Sequence, residues 1–239
     1  MHSLRPFWNS PLVTALLWSL ATLAGYLLAR RIYRRWPRWW LSPLVVAPGL
    51  LIAAALSLHT SYAQYIRGTG WLILVLGPAT VAFAVPIYER RALIRRYWPV
   101  LGIGVVVGST VAMVSSWLLA DLLRLDPAVR LSLLPRSMST PFAMTVSRDP
   151  GGSPEMTAVF VVLTGVLGAA LGDALLARLP LRSGLARGAL LGMGAHGVGT
   201  ARALEIGQEE GAIAGLVMIF TGIVNVMAAP LIAGLLRQL

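Results

Sequence analysis

Long apolar stretches with almost no charge alternate with short polar stretches along this chain. The apolar stretches are 17 to 26 residues long, and a helix of about 20 apolar residues crosses a hydrocarbon core of about 30 Å. Continuous apolar runs exclude a transmembrane β-barrel, whose strands alternate in hydrophobicity over about 10 residues. The pattern therefore predicts an all-α polytopic membrane protein. The runs are 11–29, 42–58, 69–88, 99–123, 131–147, 154–177, 185–204 and 211–236.

Three of the runs contain residues that interrupt helices. A break inside a membrane frees backbone groups that lipid cannot satisfy, so it occurs only where protein or a water-filled cavity covers it. We therefore expect the interrupted runs to lie together in the interior. The interrupting residues are Pro78 and Pro86 in the third run, Pro135 and Pro141 in the fifth, and the glycines of the seventh.

The arginines predict the orientation in the membrane. All 20 basic residues are arginine, and the formal net charge is +11. If 131–147 dips in and returns while the other seven runs cross, one side collects 13 of the arginines and the other side 7. Because cytoplasmic loops carry the excess of basic residues, we expect seven spans and one re-entrant segment in a bacterial cytoplasmic (inner) membrane. The N-terminus is then outside and the C-terminus inside, and no nucleic-acid partner is expected.

The order of the runs predicts one integral membrane domain over 1–239. Its parts are an N-terminal helix with a basic loop (1–41), a first half (42–124) and a second half (131–239). Two triplets of runs with opposite orientation, each with a broken middle member, would form an inverted repeat, as in many secondary transporters. A competing similarity pairs 76–82 with 133–139 instead. Both alignments stay open.

A polar cluster inside the fifth run is the first candidate for a binding site. Arg136 can hold a carboxylate through two parallel hydrogen bonds, and the hydroxyls of Ser137, Ser139 and Thr140 can complete the shell. Helix N-termini at the break also favour an anion. The alternative is an ordinary loop arginine between membrane segments.

His196 is the second candidate, in the middle of the glycine-rich seventh run. The letters of 192–197 match the dinucleotide fingerprint, but no strand precedes them. The segment instead predicts a helix broken by glycine. An imidazole there suits a proton carrier or a hydrogen bond to a carboxylate. The alternative is a buried histidine that only packs.

The residue types present argue against an enzyme. The chain contains no cysteine, none of the common hydrolase motifs and no paired carboxylates inside the runs. We expect no metal, no cofactor and no catalytic residue. The pairs Gly168/Gly172, Gly188/Gly192 and Gly211/Gly215 predict close approach of helices or dimerisation.

The chain resembles the LrgB family along most of its length. The strings that carry the resemblance are 76–88 (LGPATVAFAVPIY), 132–144 (SLLPRSMSTPFAM), 151–158 (GGSPEMTA), 164–165 (TG) and 187–202 (RGALLGMGAHGVGTAR). Arg136 stands where members commonly have Lys, which keeps the charge. Asp173 stands where a Pro is usual.

The resemblance implies two functions. Plant relatives are plastid glycolate/glycerate translocators and some bacterial systems move pyruvate, whereas an older description is of holin-like regulators of murein hydrolase export and cell lysis. We favour a transporter of small 2-hydroxy or 2-oxo monocarboxylates, coupled to protons through His196. The holin-like regulator is the alternative, and a purely structural membrane partner is a third. Expected partners are the carboxylate, the lipid bilayer, an LrgA-like small membrane protein and a second copy of the chain. The expected substrate-binding residues are Pro78, Thr80, Arg136, Ser137, Ser139, Thr140, Thr164, His196, Gly197, Gly199, Thr200 and Asn225.

Overall fold

A computed structural model describes residues 11–36, 38–82 and 84–236. Helices take up 86% of the described residues, and no strand occurs among them. The protein is therefore all-helical, as the sequence predicts. The helices are α1 (Pro11–Arg35), α2 (Pro43–Ser57), α3 (Tyr62–Thr69), α4 (Trp71–Ala82), α5 (Ala84–Glu89), α6 (Arg91–Leu122), α7 (Pro127–Leu133), α8 (Thr140–Arg148), α9 (Pro154–Arg178), α10 (Gly184–Ile206) and α11 (Gln208–Leu236).

Within the described residues, four helices are long and apolar enough to cross a membrane. They lie in α1, α6, α9 and α11, with the spans Leu12–Arg35, Arg91–Leu122, Pro154–Arg178 and Gln208–Gly234. The sequence predicts seven crossings, so three of them lack a matching long helix. One is the 42–58 run, where α2 has 15 residues and is about 22 Å long. Another is the 69–88 run, where the chain forms α4 and α5 instead of one helix.

The chain divides into two compact units, Met1–Val81 and Ala82–Leu239. In the first unit, α1 packs on α2 and α3. The Trp18 and Tyr65 rings meet edge to face at 5.4 Å, and the hydroxyl of Ser19 donates to the carbonyl of Gly68 at 3.0 Å. A capping box of Ser61 and Gln64 starts α3.

Three long helices form the frame of the second unit. Leu101 and Val105 of α6 share a buried cluster with Ile213 and Val217 of α11, and Asn225 Nδ2 donates to Ser109 Oγ further along both helices at 2.9 Å. The two helices therefore run in the same direction. The start of α9 packs near the end of α11, because Val161 and Ala229 share a cluster. Leu176, near the other end of α9, packs on a cluster that contains Ala214 near the start of α11. Helix α9 therefore runs antiparallel to α6 and α11.

Helix α10 folds back on itself at His196. A straight helix of its 23 residues would be about 34 Å long. Instead, both ends of α10 lie beside the start of α11: Arg187 Nη2 is 2.9 Å from Glu210 Oε1, and Ile206 leads directly into Gln208. At the turn, a Cβ on Gly199 would overlap the carbonyl of Leu191, eight residues earlier. The two arms, 184–195 and 197–206, are therefore antiparallel.

Helices α7 and α8 with the link between them form a second fold-back. Ser132 Oγ accepts from the Ser153 amide at 2.8 Å, and the carbonyl of Ser132 accepts from Thr157 Oγ1 at 3.0 Å. The stretch from Ser132 to Gly152 therefore leaves α9 and returns to it. Helix α8 has 9 residues, so the turn of this segment lies about 13 Å from its mouth.

The structure differs from the expected crossing of 185–204. This run is apolar and 20 residues long, so its length fits a span, but it turns at its middle residues and comes back. The reason is local: His196 has φ 38° and ψ −117°, which no helix contains. The crossing predicted for 185–204 is therefore wrong in its geometry.

Candidate functional site

The turns of the two fold-back segments meet beside the middle of α9. The His196 ring packs on Gly165, one helical turn from Val161, which shares a buried cluster with Met138 of the other segment. Both turns also contact α11. Gly197 of the α10 segment lies near Met218, and Phe142 of the α7–α8 segment packs on Gly222. Four residues on a helix span about 6 Å. We call this region the junction: Ser139, His196 and residues 161–165 of α9.

His196 is held by α9 and has one free nitrogen. Its residue exposure is 4%, and its ring hydrogen-bonds the backbone carbonyl of Val161. Among the described residues, His196 Nε2 is a buried side-chain atom without a hydrogen-bond partner. A positive φ is rare for a residue with a side chain and costs free energy, so such residues cluster at functional sites.

Ser139 starts α8 but does not cap it. Its exposure is 7%, its side chain makes no capping bond, and its Oγ has no partner among the described atoms. Serine at this position normally accepts a bond from the backbone amides of the first turn. Helix α8 thus begins with a buried hydroxyl that bonds nothing among the described atoms, directly after Met138, which shares a cluster with Val161, and Thr140 follows half-buried.

A second helix N-terminus also lies at the junction. The arm 197–206 begins directly after His196, and the hydroxyl of Thr200 donates to the His196 carbonyl at 2.9 Å. Gly197 is exposed, whereas Gly199 is buried against Leu191. Helix N-termini carry a partial positive charge and C-termini a partial negative one, and the arm 184–195 ends at the same turn where the arm 197–206 begins.

Arg136 lies on the side of the junction that faces α6. Its Nε donates a hydrogen bond to Ser116 Oγ at 2.7 Å. The Ser116 hydroxyl in turn donates a hydrogen bond to the Ala112 carbonyl at 2.7 Å. The side chain is partly buried, as is that of Ser137. One edge of the guanidinium is thus used to fasten the link to α6.

The predicted lining residues on α9 and α11 have different surroundings. Thr164 is half-buried on α9 between Val161 and Gly165, within the junction. Asn225 donates to Ser109 and to the Thr221 carbonyl, the latter at 2.7 Å, so it ties α6 to α11. It also lines a mainly apolar cavity of 510 Å³ between those two helices.

Two predicted site residues lie in the first unit. Pro78 is an exposed residue inside α4, and the side chain of Thr80 lies outside the described part of the chain. The other ten predicted residues belong to the second unit.

Sequence reasoning missed several polar side chains that hold the fold-back segments in place. Ser116 binds Arg136, Ser132 and Thr157 close the α7–α8 segment, and Glu210 binds Arg187. A hydroxyl or a carboxylate within or beside an apolar run was the available signal, but serines and threonines are common in membrane helices.

Comparison with known proteins places the chain in a family. The LrgB-like family matches residues 22–235. The chain is 41% identical over 209 residues to YwbG of Bacillus subtilis, an uncharacterized protein, covering 87% of this chain and 93% of that relative. It is 31% identical to the holin-like protein CidB of Staphylococcus aureus, covering 92% and 96% of the two chains.

The antiholin-like protein LrgB of Bacillus subtilis is also 31% identical, with 91% of this chain and 94% of the relative covered. No solved structure matches. These names favour the holin-like alternative over carboxylate transport. Since the family match covers most of the chain, the resemblance seen in the sequence is confirmed, and the protein belongs to the LrgB family.

Proposed function

We propose that this chain is a holin-like protein of the bacterial cytoplasmic membrane, which regulates murein hydrolase export and cell lysis by controlling what passes the bilayer. The similarity to CidB and LrgB carries this proposal, because it extends over more than nine-tenths of each chain. The four long apolar helices support a location in a membrane.

The arginines and the course of the second unit support one orientation. The starts of α6 and α11, the end of α9 and both ends of α10 lie on one side, which carries Arg90, Arg91, Arg95, Arg96, Arg178, Arg182 and Arg187. We assign this side to the cytoplasm, so that α10 is re-entrant from inside and α7–α8 from outside. The end of α11 is then outside, which revises the expectation of an inside C-terminus. Alkaline phosphatase fused after Leu236 should be active, and an inactive fusion contradicts the assignment.

Transport of a small 2-hydroxy or 2-oxo monocarboxylate is the second candidate function. One observation favours it: the junction brings together a buried free hydroxyl and a buried free imidazole nitrogen. A holin that opens a hole in the bilayer needs only helices that associate. A discrete polar site inside apolar helices is instead typical of a substrate pathway. Arg136, on the side of the junction that faces α6, would attract the anion.

One experiment separates the two functions. The purified protein is placed in liposomes, and uptake of labelled glycolate and pyruvate is measured with and without a pH gradient, beside release of an unrelated dye. Non-saturable dye release supports the holin-like function. Saturable uptake that excess unlabelled substrate blocks supports the carrier.

Variants refine this assay. For the carrier, we expect Arg136→Ala to abolish saturable uptake while Arg148→Ala, which removes an exposed arginine at the end of α8, leaves it unchanged. His196→Gln should remove the pH dependence of uptake if the histidine carries protons. If the liposomes show neither anion uptake nor dye release, a partner protein is required, and co-expression with an LrgA-like protein tests this. Cross-linking in membranes tests the homodimer.

A further inference from the structure

The first unit carries a positive charge that its own sequence does not balance. Residues 1–81 contain seven arginines and no aspartate or glutamate, and all nine acidic residues come later in the chain. Four of the arginines stand at the end of α1, at positions 30, 31, 34 and 35. In the described part of the chain, the four ion pairs all involve other arginines. An anion that balances this charge must therefore come from outside the unit.

Three of these arginines line one cavity. Arg30, Arg31 and Arg34 surround a cavity of about 500 Å³ together with Leu27 and Leu28. The five residues lie within about two turns of α1, and both leucines are more than half exposed. Because the leucines precede the arginines along the helix, the cavity has an apolar part and a cationic part, one after the other along α1.

We infer that this cavity binds the head group of one anionic phospholipid of the membrane in which the protein lies. The arginines bind the phosphate, and Leu27 and Leu28 contact the start of the acyl chains. A guanidinium group can hold phosphate oxygens through two parallel hydrogen bonds, and basic pockets beside membrane helices suit anionic head groups. The site lies in the first unit alone, so it is independent of both candidate functions.

An exposed apolar face of α1 favours a lipid over free phosphate as the occupant. Four leucines spaced three or four residues apart lie on one face of the helix, and Arg31 and Arg34 continue this face. The face is about 16 Å long, which is about half of a hydrocarbon core of about 30 Å. An acyl chain in one leaflet can follow it, whereas free phosphate makes no use of it. We call this face the leucine stripe: Leu16, Leu20, Leu23 and Leu27, all exposed.

Two ordinary roles of arginine make a different prediction at this helix end. Basic residues keep a helix end on the cytoplasmic side, and they stabilise a helix C-terminus. Both roles apply equally to Arg34 and Arg35, which share the last turn of α1. The cavity distinguishes the two, because it is lined by Arg34 and not by Arg35. Arg35, which is also exposed, is therefore the matched control.

The test titrates the purified full-length protein in nonionic detergent with phosphatidylglycerol and, separately, with phosphatidylcholine of the same acyl chains. Native mass spectrometry counts the lipids bound to each protein. Both lipids contain a phosphate, but the choline group neutralises it in the second. We expect the first phosphatidylglycerol to bind at least about tenfold more tightly than the first phosphatidylcholine, because each arginine contributes about fivefold to binding of an anionic lipid.

The variants separate the site from a general attraction by charge. Arg34→Gln should weaken phosphatidylglycerol about fivefold and leave phosphatidylcholine unchanged. Arg35→Gln should change either affinity by less than about twofold, because salt screens a charge that does not touch the lipid. Arg34→Lys keeps the charge but not the two parallel hydrogen bonds, and its affinity should lie between those of Arg34→Gln and the parent protein. Arg31→Gln should act like Arg34→Gln and replaces it if that variant does not fold.

Three results would overturn the site. The first is equal affinity of the parent protein for the two lipids. The second is an equal loss in Arg34→Gln and Arg35→Gln, which would mean attraction by net charge alone. The third is displacement of phosphatidylglycerol by a large excess of inorganic phosphate, which would contradict a lipid as the occupant. We expect no such displacement, because inorganic phosphate makes no contact with the leucine stripe.

Discussion

The two fold-back segments of the second unit are fastened at their mouths by different interactions. Ser132 closes the α7–α8 segment through neutral hydrogen bonds with Ser153 and Thr157 at 2.8 and 3.0 Å. The α10 segment is held by ion pairs, Arg187 with Glu210 at 2.9 Å and Arg202 with Asp173 at 2.8 Å. Ions in solution weaken exposed ion pairs but hardly affect buried neutral bonds. The α10 mouth should therefore respond to salt, and the α7–α8 mouth should not.

The arms of α10 are packed by glycines, whereas the α7–α8 segment is packed by larger side chains. Gly188 and Gly192 lie against the backbone of α11, and Gly168 of α9 lies against the Gly194 carbonyl. In the other segment, Met138, Ala143 and Val146 form the contact with α9. Close backbone packing leaves little room for added volume, so the α10 segment is the more sensitive of the two to small substitutions.

The largest effect is expected from a methyl group on the tightly packed face of α10. In Gly192→Ala the new Cβ would lie 2.5 Å from the Ala214 carbonyl oxygen, and helices must shift at a cost of about 2–3 kcal/mol. Gly194→Ala is the matched control, because nothing lies within 4 Å of a Cβ there. The thermal unfolding midpoint in detergent should fall by about 4–12 °C in the first variant. Equal midpoints would contradict the packing described for the arm.

A smaller loss is expected at the mouth of the α7–α8 segment. Ser132→Ala leaves the partly buried amide of Ser153 without its acceptor, which costs about 1–2 kcal/mol. Ser147→Ala removes a hydroxyl that bonds only within its own helix and should cost less. The decrease in unfolding midpoint for Ser132→Ala should be the same at low and at high salt. A decrease that salt abolishes would mean that charge also closes this mouth.

An effect of about 1 kcal/mol is expected from Glu210→Gln at the α10 mouth. The Glu210 side chain is 10% exposed and that of Arg187 is 36% exposed. Ions in solution therefore reach the arginine more easily than the carboxylate. The midpoint should fall, and about half of the fall should disappear in 1 M salt. Glu209→Gln is the control for a change of charge alone, since Glu209 is an exposed carboxylate in the same first turn of α11. A fall of equal size in both variants would contradict a specific role of the pair.

The sequence predicts the frame of the second unit and the position of the α10 break. The runs 99–123, 154–177 and 211–236 correspond to α6, α9 and α11, because apolar length alone decides which helices can span. The interruption predicted around His196 is present. The predicted close approach of backbones is found at four of the six paired glycines, which are Gly168, Gly188, Gly192 and Gly211. Gly172 instead meets the side chain of Leu191, and Gly215 has only an ordinary contact with Thr200. Spaced small residues predict these contacts from sequence, because their lack of bulk is what allows two helix backbones to approach.

The sequence does not predict the direction in which α10 continues after its break. A run of 20 apolar residues fits a crossing as well as a fold-back, and the contacts that distinguish them join distant positions, such as Arg187 with Glu210. The partner of Arg136 is hidden for the same reason, because Ser116 lies 20 residues earlier in the chain. Hydropathy describes how apolar a segment is, and tertiary contacts decide its path.

The smallest effect is expected from Asp173→Asn, at the second ion pair of the α10 mouth. The carboxylate of Asp173 accepts two bonds from Arg202 Nε, at 2.8 and 3.1 Å. Both side chains are about two-fifths exposed, and Arg202 also binds Glu205 at 2.6 Å. The loss should be below about 0.5 kcal/mol and absent in 1 M salt. Asp173→Pro should lower the unfolding midpoint more than Asp173→Asn does, because proline inside α9 removes a backbone hydrogen bond. If instead Asp173→Asn costs as much as Glu210→Gln, then both arms of α10 are held by their ion pairs to the same degree.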